Sequence, residues 1–263
     1  MCLLAFAWKT HPDYRLIFAG NRDEFHARPT AAADWWEDAP HVLGGRDLAA
    51  GGTWLGLTDQ GRFAVVTNYR EPGAAPPAEA LSRGTLATDF LIGTSTPHTY
   101  LNTLRAGGGA RFAGFNLLFG ELAGDKPALF YYSNRSGATD LTGELSAGIY
   151  GLSNHLLDTP WPKVQHLKAA MQLNSAEPSD TETLLGALGD RTLPDDAELP
   201  NTGVSPAHEK LLSPACIVSP DYGTRASSIV TVANTGQTQF IELTRNRDGE
   251  PAGRKEYSFN LIQ

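Results

Sequence analysis

The sequence predicts an α+β protein with helices outside two mostly antiparallel sheets. Three observations carry this: strand-like apolar runs lie at both ends of the chain, segments with helical apolar spacing cluster in the middle, and strict β-α alternation is rare. With 263 residues and 41% hydrophobic content there is material for a proper core, and residues 1–263 are expected to form a single domain. The 27 glycines and 17 prolines follow no collagen-like period, so they imply many turns and loops.

Residues 2–8 and 14–19 are apolar runs separated by Thr10-His11-Pro12-Asp13, which predicts a hairpin whose first strand starts at the beginning of the chain. A second strand pair, residues 53–58 and 62–68, flanks Asp59-Gln60-Gly61. Within it, Gly51-Gly52-Thr53-Trp54-Leu55-Gly56 sets small residues beside a large aromatic, as where a backbone must approach something closely. Residues 71–78 read as a loop, and Leu81, Thr85, Thr88 and Leu91 give a helical face after Ser82. A helix over 97–104 and strands over 115–119, 128–133 and 149–152 follow. Helices are then predicted over 161–171 and 181–188, an irregular acidic flap over 190–210, and strands over 227–232, 239–243 and 256–261.

The net charge of −8, with no Lys/Arg cluster longer than a pair, argues against nucleic acid and against an anionic membrane surface as partner. Two cysteines, Cys2 and Cys216, allow neither a disulfide framework nor a cysteine zinc site. The histidines lack metal-ligand spacing, so no metal is expected. The apolar start is too short to span a bilayer and has no basic flank or cleavage signature, so a cytoplasmic protein without an integral membrane segment is expected. Oligomeric state is not readable.

Cys2 is the residue with the most chemistry. If Met1 is removed, Cys2 carries a thiol and a free α-amine together, with ordinary pKa values near ~8.5 and ~8, so the nucleophile brings its own general base. The predicted hairpin returns Asn21-Arg22-Asp23-Glu24 to the neighbourhood of Cys2. Arg22 would then lower the thiol pKa and Asp23 would hold the ammonium; the bland alternative is an exposed turn with a surface ion pair.

The stretch Asn21-Arg22-Asp23-Glu24 resembles the signature of the NRDE family, whose eukaryotic members are called transport-and-Golgi-organisation proteins. Gly51 to Gly56, Thr67-Asn68-Tyr69-Arg70, Gly84, Gly151-Leu152-Ser153-Asn154 with Asp158 to Lys163, and Gly223 to Ser228 resemble its further blocks in order. The resemblance implies an Ntn-hydrolase-like fold, a four-layer α-β-β-α sandwich. It also implies a cysteine amidohydrolase acting on a C–N bond of a small amide or ester, by likeness to the choloylglycine and penicillin V acylases. Cys2, Arg22, Asp23, Asn68, Asn154 and Arg225 occur in the order of those enzymes' catalytic groups, although Arg22 and Asp23 are adjacent here and would point to opposite faces of a strand. Asn68 and Asn154 would donate to an oxyanion and Arg225 would add positive field. Trp54, Tyr69, Arg70 and His155 are the expected substrate contacts. The family resemblance also allows a non-catalytic protein that handles haem or lipid, with a thiolate or histidine as iron ligand. Hydrolysis itself needs no cofactor.

Overall fold

The computed structural model describes residues 2–137, 141–174 and 180–262. Met1, whose removal the expected chemistry requires, lies outside them. In chain order the elements are β1 (Cys2–Trp8), β2 (Tyr14–Phe25), β3 (Thr30–Trp36), β4 (Ala39–Asp47), β5 (Leu55–Thr58) and β6 (Arg62–Asn68). Then come α1 (Gly84–Ile92), α2 (Pro97–Arg105), β7 (Phe115–Glu121), β8 (Ala128–Ser133), β9 (Gly143–Glu144) and β10 (Gly148–Leu152). The chain continues through α3 (Pro162–Asn174), α4 (Thr181–Leu188), α5 (Pro206–Leu211), β11 (Tyr222–Ala233), β12 (Gln237–Arg245) and β13 (Pro251–Asn260).

These elements make two compact units. The first comprises the chain up to Ala27 together with Ala147–Ser153 and Leu157–Ser258. Its sheet runs in the order β10-β1-β2-β11-β12-β13. All seven residues of β1 are buried. Strand alternation sends Leu3, Ala5 and Ala7, with Ile17, Ala19, Ile229 and Ile241 from neighbouring strands, against Val164, Leu167 and Met171 of α3 and Leu184, Leu185 and Leu188 of α4. That apolar layer fixes the register: a slip of one residue would turn every one of these side chains to the other face.

One polar residue is built into this layer. Asn21, fully buried in β2, donates through Nδ2 to the carbonyls of Leu188 and Ala215, both at 2.8 Å, and accepts from Ser227 Oγ at 2.6 Å. Arg245 Nε in turn donates to Ser227 Oγ at 2.9 Å. The amide thus satisfies the C-terminal end of α4, where helix carbonyls lack intrahelical partners.

The second unit comprises residues 28–146, 154–156 and 259 onward, with sheet order β3-β4-β5-β6-β7-β8-β9. Helices α1 and α2 contribute Leu86, Phe90, Leu91, Leu101 and Leu104 to a core with Val66, Phe115, Leu117, Phe119 and Phe130. The glycine block before β5 has a physical reason: a Cβ on Gly52 would stand 2.6 Å from the backbone of Gly84, where α1 begins. Only hydrogen fits at that contact.

The α+β class and the two antiparallel sheets are as expected; every described strand register is antiparallel. Four local expectations change. The strand predicted to stop at Ala19 continues to Phe25, because β2 is paired on both sides, by β1 and β11, and the polar signature is carried inside the ladder. β3 and β4, which no alternation announced, are broken by register shifts at 31/34 and 35/36 that scramble the period of two. Trp36 is buried there, with Nε1 donating to Gly44 O at 2.9 Å. The short strand β9 was also unannounced. The flap over 190–210 is irregular up to Ser205, whose hydroxyl accepts from His208 N and starts α5 with Pro206 at its first position.

Replacing Asn21 by Ala takes the donor from two buried carbonyls and the acceptor from the buried Ser227 hydroxyl. We expect it to lower the unfolding free energy by about 2–4 kcal/mol in urea titration, and Asn21→Asp, which sets a carboxylate against those carbonyls, to lower it further. An unchanged midpoint in both variants would show the amide to be incidental.

Candidate functional site

Six of the ten expected site residues belong to the second unit and four to the first.

In the first unit Cys2 opens β1 directly opposite Arg22 in the ladder with β2. Opposed residues of an antiparallel pair share a face, with Cβ atoms roughly 5 Å apart. Thiol and guanidinium therefore stand side by side on the face turned away from α3 and α4. Cys2 is 6% exposed and is a free thiol. Burial pushes it above the ordinary thiol pKa, and the Asp23 carboxylate adds to this. The Arg22 charge and the Asp23 backbone N–H act in the opposite direction. Ser153 Oγ donates to the Cys2 carbonyl at 3.0 Å, tying the end of β10 to the start of β1.

Arg22 and Glu24 share the thiol's face, at 3.7 Å from each other. Asp23 points the other way. It is opposed by Thr224, whose Oγ1 donates to Asp23 Oδ1 at 2.7 Å while accepting from Ile217 N at 2.9 Å. Its carboxylate therefore stands on the side of Asn21, not among the groups beside the sulfur. Arg225 is the extra residue of a bulge between Thr224 and Ala226, with Nη1 donating to the carbonyls of Phe25 at 3.0 Å and His26 at 3.3 Å. Burial and the neighbouring Arg22 push its guanidinium below the ordinary arginine value.

In the second unit residues 68–70 grip residues 154–155. Asn154, fully buried, donates through Nδ2 to Asn68 O at 3.0 Å, and its own carbonyl accepts from Arg70 N at 2.7 Å. The Tyr69 hydroxyl and His155 Nε2 are 2.9 Å apart, with the two rings 5.0 Å between centroids. Trp54 is buried, and its carbonyl accepts from Val66 N at 2.8 Å.

Asn116 is the member that motif reading did not single out. It is fully buried in β7, donates to His155 O at 2.9 Å and Thr67 Oγ1 at 3.1 Å, and accepts from the Tyr131 hydroxyl at 2.7 Å. Its signal in the sequence is an amide inside the apolar run Phe115 to Phe119, where a polar side chain is costly unless every group is paired. Two residues of the block after Asn154 are structural instead. Asp158 Oδ1 accepts from Gly151 N at 2.8 Å and Lys168 Nζ at 2.6 Å, and Trp161 packs in the core under α3.

No three His, Cys, Asp or Glu side chains among the described residues gather as a metal site. The Cys2 sulfur, one donor a haem iron could use, is nearly covered, and His155 Nε2 lies 2.9 Å from the Tyr69 hydroxyl. A cavity of about 200 Å³ in the first unit, lined by Lys163, His166, Asp190 and Glu198 among others, includes none of the ten expected residues. No helix is long and apolar enough to cross a membrane among the described residues.

The chain is 34% identical to the human Transport and Golgi organization protein 2 homolog, over 99% of both chains. It is 35% identical to the homolog from Bos taurus, over 92% of each, and 31% identical to Transport and Golgi organization protein 2 of Drosophila melanogaster, over 93% of this chain and 92% of that one. Among solved structures it is similar to the Caenorhabditis elegans N-acylethanolamine-hydrolyzing acid amidase ortholog, with TM-score 0.43 and 11% identity over 87% of this chain and 92% of that one. A second is a mutant conjugated bile acid hydrolase from Clostridium perfringens, with TM-score 0.42 and 10% identity over 98% and 97%. The family model described as Transport and Golgi organisation 2 matches residues 1–247, and this chain belongs to that family.

Proposed function

We propose that the protein is an N-terminal-cysteine hydrolase of small amides or esters, with the Cys2 sulfur as nucleophile. The observation that carries the reading is the cross-strand pair of Cys2 and Arg22: a free thiol at the head of a buried strand with a fixed positive charge beside it. Burial holds that sulfur protonated, so attack needs a base, and the α-amine exposed by loss of Met1 would serve.

In this reading the sulfur bonds to the carbonyl carbon as the carbonyl π pair moves onto oxygen, and the amine takes the thiol proton. Collapse of the adduct breaks the bond to the leaving amine or alkoxide, which receives that proton. Water then adds to the thioester, releasing the acid and restoring the thiol. The reading gives the field on the sulfur to Arg22 and Arg225, which belong to the same sheet as Cys2. Asp23 acts on the sulfur through its backbone N–H.

Intact mass should show loss of Met1, and a thiol-directed acylating probe should label Cys2 in preference to Cys216; retained Met1 or equal labelling would sink the reading. The pH profile supplies a further check. In protein that keeps Met1, iodoacetamide should alkylate Cys2 with a midpoint above that of the urea-unfolded chain. The fold holds the protonated form, so this group's stabilisation is present below the ordinary thiol pKa and lost as pH rises through the folded value. In processed protein the adjacent ammonium should move the midpoint down, and an unchanged midpoint would remove the amine from the mechanism.

A further inference from the structure

Arg22 is more deeply placed than its contacts explain. Its side chain is 12% exposed, yet among the described residues it makes no side-chain hydrogen bond, and its ion-pair partner Glu24 stands at 3.7 Å, beyond hydrogen-bond reach. A guanidinium carries five donors in a planar fork, and those of Arg22 are not sealed from solvent, so they are open to acceptors that a ligand would bring. The thiol next to it cannot account for them, since one sulfur takes one or two.

The bulge in β11 sharpens the point. Bulges re-aim a side chain, and this one sets Arg225 beside the strand position that opposes Arg22. Both carbonyls at the end of β2, Phe25 O and His26 O, hold Arg225 Nη1 in place. After burial, the charges of Arg22 and Arg247 push the Arg225 guanidinium below the ordinary arginine value, while Glu24 pulls it up. Against them this face offers Glu24, because the Asp23 carboxylate is turned to the other face and bonded to Thr224. Like charges held near one another, here with Arg225 anchored to backbone carbonyls, are stabilised when an anion sits between them.

We infer that Arg22 and Arg225 bind an oxyanion, a carboxylate or a phosphate, carried by the ligand that reaches Cys2. This deepens the hydrolase reading and rests on it for the identity of the ligand as substrate: the preferred acyl compound bears a negative group near the scissile bond. The forked donors suit the paired oxygens of either group.

Two alkylating reagents with the same reactive carbon test it. With iodoacetate and iodoacetamide the sulfur bonds to the methylene carbon and iodide departs; only the first brings a carboxylate. At constant ionic strength, the ratio of the two rates at Cys2, followed by peptide mass, should be about tenfold higher in the folded protein than in the urea-unfolded chain. Arg22→Gln and Arg225→Gln should each bring the ratio most of the way back, Arg22→Lys should keep much of it, and Glu24→Gln should raise it. A folded ratio equal to the unfolded one, or one indifferent to both glutamine variants, overturns the inference. If neither reagent reacts, the hydrolase reading is what fails, and the anion site is read in the Cys2→Ala variant. There inorganic phosphate and acetate are titrated separately, with melting temperature as readout. Saturable stabilisation by either that disappears with Arg22→Gln supports the site and says which oxyanion fits, and stabilisation by neither overturns it.

Discussion

Strand alternation through residues 21–24 is the constraint on which this molecule depends. β2 is held on both sides, by β1 and by β11, so its register is set twice over. Four consecutive polar residues are divided between two faces as a result. Asn21 and Asp23 turn toward the helices and are spent on structure, closing the end of α4 and fixing Thr224. Arg22 and Glu24 turn toward the side of the sulfur. A motif that reads as one functional block is two interleaved pairs with different physical duties.

The second unit shows a related economy. Residues 68–70 and 154–155 are held to one another by main-chain and side-chain hydrogen bonds, and Asn116 supports both from below. A network with this many satisfied members is rigid in a low-dielectric setting, which is what a pre-organised donor requires. Asn154 is therefore oriented before any ligand arrives. Tyr69 and His155, half-buried like Asn68 and Arg70, edge that framework, whereas Asn116 and Asn154 are buried.

Much of this was legible from residues. The hairpin at the start, the glycine block, the helices over 161–171 and 181–188, and the closing strands follow from periodicity and turn chemistry. The candidate site residues were chosen by order along the chain, because Cys2, Asn68, Asn154 and Arg225 are separated by long stretches that only a family resemblance could connect. What stayed hidden has physical causes. Bulges in β3 and again at Arg225 break the period of two on which strand reading relies. Asn116 looks like a stray amide until its three partners are seen. The adjacency of Arg22 and Asp23 was visible, with its consequence that they diverge, but which of the two accompanies the thiol depended on register and could not come from spacing.

The most direct measurement is a paired scan of four single variants, Asn21→Ala, Arg22→Ala, Asp23→Ala and Glu24→Ala, recording urea midpoint and the alkylation rate of Cys2 in folded protein. The account predicts that positions 21 and 23 move chiefly the midpoint, whereas 22 and 24 move chiefly the rate and leave the midpoint within about 1 kcal/mol of the parent. Stability losses concentrated at 22 and 24, with sulfur reactivity governed by 21 and 23, would contradict it.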